Sequence, residues 1–166
     1  MHTLLPHQHT DEHYMRMALQ EAEKAMKIQE VPIGAVIVYE HHVIGRGYNQ
    51  TECLQDPTAH AEILAIKQAS MYLSSRRLLG CTLYVTLEPC SMCAGAIVLA
   101  RISRVVFAAS DPKSGACGTL YNITQDKRLN HRCYITRGIL EHDSAAMLRS
   151  FFVQLRRTSQ ASTAPK

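Results

Sequence analysis

A chain of 166 residues, 46% hydrophobic and 19% charged, is long enough for one substantial core and ordinary for a soluble globular domain. It holds no apolar run of membrane-spanning length and no basic-then-apolar leader, so the cytosol is the expected compartment. The net charge is +4, yet residues 1–62 carry four basic and nine acidic groups while residues 63–137 carry ten and three; a solvated basic face explains the bias, and a nucleic-acid surface would use it.

Residues 1–9 hold His2, His7 and His9 without an acid or an aromatic, and are expected to form a disordered tail. Thr10 is placed to cap a helix whose first turn carries Asp11 and Glu12. Met15, Ala18, Leu19, Ala22 and Met26 then recur at helical spacing. Residues 33–39 and 43–48 are β-rich and flank His41-His42, which predicts a hairpin with those histidines on the turn. Asp56-Pro57-Thr58 turns the chain into a helix over 60–72, with Ile63, Leu64, Ile66 and Ala69 facing the core.

A strand over 83–87, a helix over 91–100 and a strand over 104–109 follow. Residues 110–132, with Gly115, Gly118 and Asn130, read as loop. A short strand over 133–137 precedes a last helix over 142–157, whose Leu148, Phe151, Phe152 and Leu155 are expected to pack into the core. The polar stretch from 158 reads as a second tail. This order predicts one α/β domain over 10–157, a three-layer α/β/α sandwich around a mixed sheet of about five strands. The strands at 83–87 and 104–109 should be parallel neighbours joined by a helical crossover.

The chemistry is concentrated in two stretches, His60-Ala61-Glu62 and Pro89-Cys90-Ser91-Met92-Cys93. With 6 Pro and 6 Cys in the chain, Pro-Cys-x-x-Cys is expected by chance only on the order of 0.01 times. Cys90 and Cys93 are one helical turn apart, so both sulfurs point the same way. A helix N-terminus favours thiolate there. His60 begins another helix, and crossover helices that start on one sheet edge can bring it to the cysteines. The three make an open zinc site, one Zn²⁺ per chain with a fourth position for water. Glu62 lies close enough to move protons without being a ligand. Cys81 and Cys117 lack ligand spacing to the others. With Cys53 and Cys133 they read as single thiols rather than disulfides.

His-x-Glu followed by Pro-Cys-x-x-Cys is the known signature of zinc-dependent nucleobase deaminases. Residues 56–63 and 86–97 resemble the bacterial tRNA-specific adenosine deaminases of the cytidine deaminase superfamily. So do Val31-Pro32-Ile33-Gly34-Ala35-Val36, Gly47-Tyr48-Asn49, residues 101–107, Asp111-Pro112-Lys113-Ser114-Gly115-Ala116 and Asn130-His131-Arg132. The resemblance covers roughly residues 11–157. It implies a cytidine deaminase-like fold, a homodimer, and conversion of adenosine to inosine at the wobble position of a tRNA anticodon. By position it implies that Asn49 bonds the flipped nucleoside, that Val31, Ile33 and Ala61 line the base pocket, and that Asp111 and Lys113 lie near the flanking nucleotides. Arg149, Phe152, Arg156 and Arg157 are further candidates for RNA contact. The thiol of Cys117 stands where the family carries smaller residues.

Two other readings share the motif. One is a small-molecule deaminase of the same superfamily, acting on guanine, cytosine or a nucleotide. The other is a non-catalytic zinc or RNA-binding subunit, against which the intact Glu62 argues. The basic segments after residue 62 favour tRNA.

Overall fold

A computed structural model describes residues 10–162. The chain runs α1 (Asp11–Lys27), β1 (Gly34–Tyr39), β2 (His42–Tyr48), α2 (Thr51–Leu54), α3 (Ala61–Tyr72), β3 (Thr82–Leu87), α4 (Ser91–Ala100), β4 (Arg104–Ala109), β5 (Tyr134–Arg137) and α5 (Glu141–Ser162). The predicted tail at 1–9 lies outside the described residues. The helix expected to stop at 157 continues to Ser162. No helix is long and apolar enough to cross a membrane, among the described residues.

The five strands form one sheet in the order β2-β1-β3-β4-β5. β1 pairs antiparallel with β2 and β3, whereas β3–β4 and β4–β5 are parallel. The sheet is therefore mixed, and β3 and β4 are the parallel neighbours that the alternation predicts. Alternate residues feed two cores. Ala35, Ile37, Leu83, Val85, Val105 and Phe107 pack with α3 and α4 on one face. Val36, Val38, Tyr84, Val106 and Ala108 pack with Tyr14, Met15 and Ala18 of α1 on the other. α5 adjoins β3 and β4, completing the α/β/α sandwich.

Two expected core faces differ. In α3 the buried residues are Ala61, Glu62, Ala65 and Ala69, while Ile63, Leu64 and Ile66 are only half buried. The cause is close approach. A Cβ at Gly47 would overlap the Ala61 carbonyl, and one at Gly45 the Ala65 carbonyl. With α3 that near β2, only alanine-sized side chains fit between them. In α5, Phe151 is buried and Leu148 half buried, but Phe152 and Leu155 are 41% and 47% exposed. These two side chains line grooves instead, Phe152 beside Val31 and Leu87, Leu155 beside Met26.

Thr10 caps α1 as expected, its side chain accepting the His13 N–H. Asp11, next in line, accepts from both terminal nitrogens of Arg104 (2.9 and 2.7 Å) and from the Tyr84 hydroxyl (2.9 Å). The Arg104 guanidinium holds the Asp11 carboxyl below the usual carboxylate range. A carboxyl depressed in the folded state stabilises fully above its unfolded pKa and loses that contribution as pH falls through the folded one. Asp11→Asn should therefore cost about 1–2 kcal/mol at neutral pH. In urea melts the gap to the parent should close as the pH is lowered through the carboxylate range; a gap independent of pH would show that Asp11 acts by packing alone.

The hairpin turn is Glu40-His41, and His42 already belongs to β2. Both turn residues have positive φ, 46° and 66°, the mirror-image turn that matches strand twist and favours Asn-Gly. Glu40→Asn with His41→Gly should raise stability by about 1–2 kcal/mol, read as a higher urea midpoint at unchanged slope.

Candidate metal centre

β2, β3 and β4 run in one direction, so their C-terminal ends share one edge of the sheet. The connections leaving that edge carry Asn49, His60, Cys90 and Asp111. Ligand sites in open α/β sheets form at such edges.

His60 and Cys90 occupy equivalent positions, each the N-cap of its helix with an extended backbone. His60 Nδ1 lies 3.7 Å from Cys90 Sγ and 3.6 Å from Cys93 Sγ. The three donor atoms all fall within 4.8 Å of one another, the one such cluster among the described residues. A tetrahedral ion held at about 2.05 Å by imidazole and about 2.3 Å by thiolate places N and S about 3.6 Å apart. The spacing thus fits a metal of zinc's size. Neither Cys81 nor Cys117 joins the group.

The electrostatics agree with a ligand set. Cys90 is pulled down to about 4, first by a hydrogen bond from Cys93 and further by His60. Cys93 is raised by the reciprocal bond and by burial. Contact with Cys90 raises His60. Glu62, 3% exposed in the first turn of α3, is pushed up to about 7 by burial. It faces Cys93 and His60 yet is not one of the three clustered donors.

Asn49 is buried, and its Oδ1 accepts the Ala61 N–H at 3.0 Å, capping α3 from outside. Its own N–H bonds the Ile33 carbonyl at 3.1 Å. Asn49, Ile33 and Ala61 therefore meet beside His60.

Residues 9–156 match the profile of MafB19-like deaminases. The chain belongs to that deaminase family. It is 50% identical over 151 residues to the tRNA-specific adenosine deaminase of Bacillus subtilis strain 168, covering 91% of this chain and 94% of that one. It is also similar to a solved structure from work on A-to-I editing by tRNA:A34 deaminases at the wobble position, with TM-score 0.79, 46% identity, and 81% and 98% of the two chains covered. A guanine deaminase structure from Bacillus subtilis aligns less fully, with TM-score 0.58, 39% identity, and 61% and 65% covered.

The remaining candidates on this deaminase fall into a second group. Val31, Asp111 and Lys113 line a cleft of about 600 Å³ with Leu87, Arg149 and Phe152. Arg156 borders the adjoining groove with Lys113. Ile33 and Ala61 do not line the cleft. Ala61 is fully buried, and Ile33 packs against the α3–α4 core. Asp111 shapes its own turn: its carboxylate accepts from the Lys113 N–H and the Ser114 hydroxyl, and its carbonyl accepts from Gly115. Cys117 is buried and offers its N–H to Glu88.

Glu88 escapes a reading of the sequence. It is 2% exposed and accepts four hydrogen bonds, from Asp111, Cys117 and twice from Thr119. The one local signal is an acid ending an apolar strand immediately before the Pro-Cys pair.

Proposed function

We propose that the chain is a zinc-dependent hydrolase that converts adenosine to inosine at the wobble position of a tRNA anticodon. The observation that carries this reading is a three-donor cluster with a buried, non-donor acid beside it, in a chain half identical to a tRNA-specific adenosine deaminase. His60, Cys90 and Cys93 would hold the zinc, one ion per chain. Three protein donors is the count of a catalytic rather than a structural site. Zinc bound there supplies Lewis-acid activation of water near neutral pH.

Glu62 moves the protons. It takes one from the attacking water and places it on adenine N1, then takes the proton of the new C6 hydroxyl and hands it to the amine as the C6–N bond breaks, so that adenosine and water become inosine and ammonia. Asn49 orients the nucleoside through Nδ2, its Oδ1 being engaged by Ala61. Ile33 and Ala61 stand beside it, and Val31 leads into the cleft. A stacked adenine is out of reach, so the loop nucleotide is flipped and its neighbours splayed. Asp111 and Lys113 meet those neighbours, while Arg149, Arg156 and Arg157 take backbone phosphates. Binding should accordingly weaken steeply with salt.

We read the enzyme as a cytoplasmic homodimer. Of the apolar residues on α4, Ile97 is spent in the core but Leu99 is 75% exposed and available to a second copy. Light scattering that found only an 18.6 kDa species would refute the dimer.

The deciding assay incubates purified protein with an anticodon stem-loop, free guanine and free cytosine, and measures ammonia and, by mass spectrometry, inosine. Inosine at the wobble position alone is expected. Ammonia from a free base, with an unaltered stem-loop, would establish the small-molecule reading instead.

A further inference from the structure

We propose that Glu88 is a positioning residue that registers the loop of residues 111–119 on the metal-binding turn, and through it sets where Asp111 and Lys113 stand at the cleft. The inference rests on the reading of this edge as the RNA-deaminating site.

Glu88 is the last residue before Pro89-Cys90, and its backbone N–H is fixed to β4 by the Ala109 carbonyl at 2.8 Å. From there the side chain reaches into the loop. Oε1 accepts the N–H groups of Cys117 (3.0 Å) and Thr119 (3.1 Å). Oε2 accepts the Asp111 N–H (3.0 Å) and the Thr119 hydroxyl (2.5 Å). The loop answers on the metal side: Ala116 N–H bonds the Pro89 carbonyl at 2.8 Å, and Gly115 bridges to Cys90 itself. One buried carboxylate thus ties both ends of the loop to the turn that carries two of the three clustered donors. Gly115 completes the fit, since a Cβ there would overlap the Glu88 carboxylate.

The four donors are not equivalent. Three are backbone N–H groups, which only donate; the Thr119 hydroxyl can reverse and accept. An amide in place of the carboxylate would keep its oxygen on Cys117 and Thr119 and turn its NH₂ to the other side. There the hydroxyl can adapt and the Asp111 N–H cannot. Glu88→Gln therefore releases one attachment selectively. Asp111 is also the residue that knots the Lys113-Ser114-Gly115 turn, so the turn shifts as a unit. Glu88→Ala would strand three N–H groups and is a poorer probe, because that cost bears on folding as a whole.

The test compares Glu88→Gln and Gly115→Ala with the parent. Both should keep about one zinc per chain and the parent circular-dichroism spectrum. Glu88→Gln should raise KM for the stem-loop about tenfold with kcat within about threefold. Amide exchange should accelerate at Asp111 and stay protected at Cys117 and Thr119. Gly115→Ala, which pushes on the carboxylate from the loop side, should raise KM similarly and loosen all three amides. Parent-like KM and Asp111 exchange in Glu88→Gln would overturn the proposal, as would loss of zinc and kcat in proportion. Exchange is read without substrate. A parent protein inactive on the stem-loop would therefore sink the functional reading and leave the amides to decide on Glu88.

Discussion

Glu62→Ala is expected to lower kcat about a thousandfold while leaving metal content and fold in place. Glu62 sits in the first turn of α3, where alanine is a good helix former, and its removal deletes a buried acid while leaving all three donors, His60, Cys90 and Cys93, in the chain. His60→Ala should behave differently, losing metal and activity together, because it removes one of three donors. Elemental analysis beside single-turnover inosine formation separates the two. Turnover within about tenfold of the parent in Glu62→Ala would assign the proton transfers to another group.

Gly47→Ala carries the largest expected effect on stability, about 2–3 kcal/mol. Its Cβ would press on the backbone of Ala61 and Ala65, not on a side chain that could swing aside. Because Ala61 follows His60, the first turn of α3 must retreat from β2 and take a donor with it. Metal affinity should therefore fall along with the melting temperature. Gly45→Ala is the internal control. Its Cβ meets Ala65 and Ala69, one turn farther from the cluster, so comparable destabilisation with near-parent affinity in a chelator competition is expected. Equal affinity losses in both variants would mean that α3 moves as a rigid rod.

The donors were legible because their information is local. Three-residue spacing aligns two sulfurs, and a helix start on either side of one strand brings His60 to them. Sheet order was less so: the insertion of β1 between β2 and β3 depends on pairings between segments 44–50 residues apart, such as Ala35 with Val85. The burial of α3 was misjudged through hydrophobicity. Ile63, Leu64 and Ile66 outrank alanine on any scale, but Gly45-x-Gly47 dictates how near the helix comes and so which side chains fit. That alternation of glycines was the available signal. In α5 the stripe of Phe152 and Leu155 is periodic enough for core, but only the folded chain shows that Phe152 faces a cleft beside Val31 and Leu87, and Leu155 a groove beside Met26. Glu88 was hidden because its donors lie 23–31 residues onward in a loop without periodicity.

His60 and Cys90 stand where serine, threonine, aspartate or asparagine would bind the first N–H groups of a helix, and neither side chain does so. The start of α4 is thereby less stable than its sequence could make it, by about 1 kcal/mol, and that of α3 by less, since Asn49 supplies one bond from outside. The sites most exposed to selection for metal are thus selected against for thermal endurance. Stripped of metal, His60→Asn and Cys90→Ser should melt above the metal-free parent, so an inactive descendant of this enzyme would be the hardier protein.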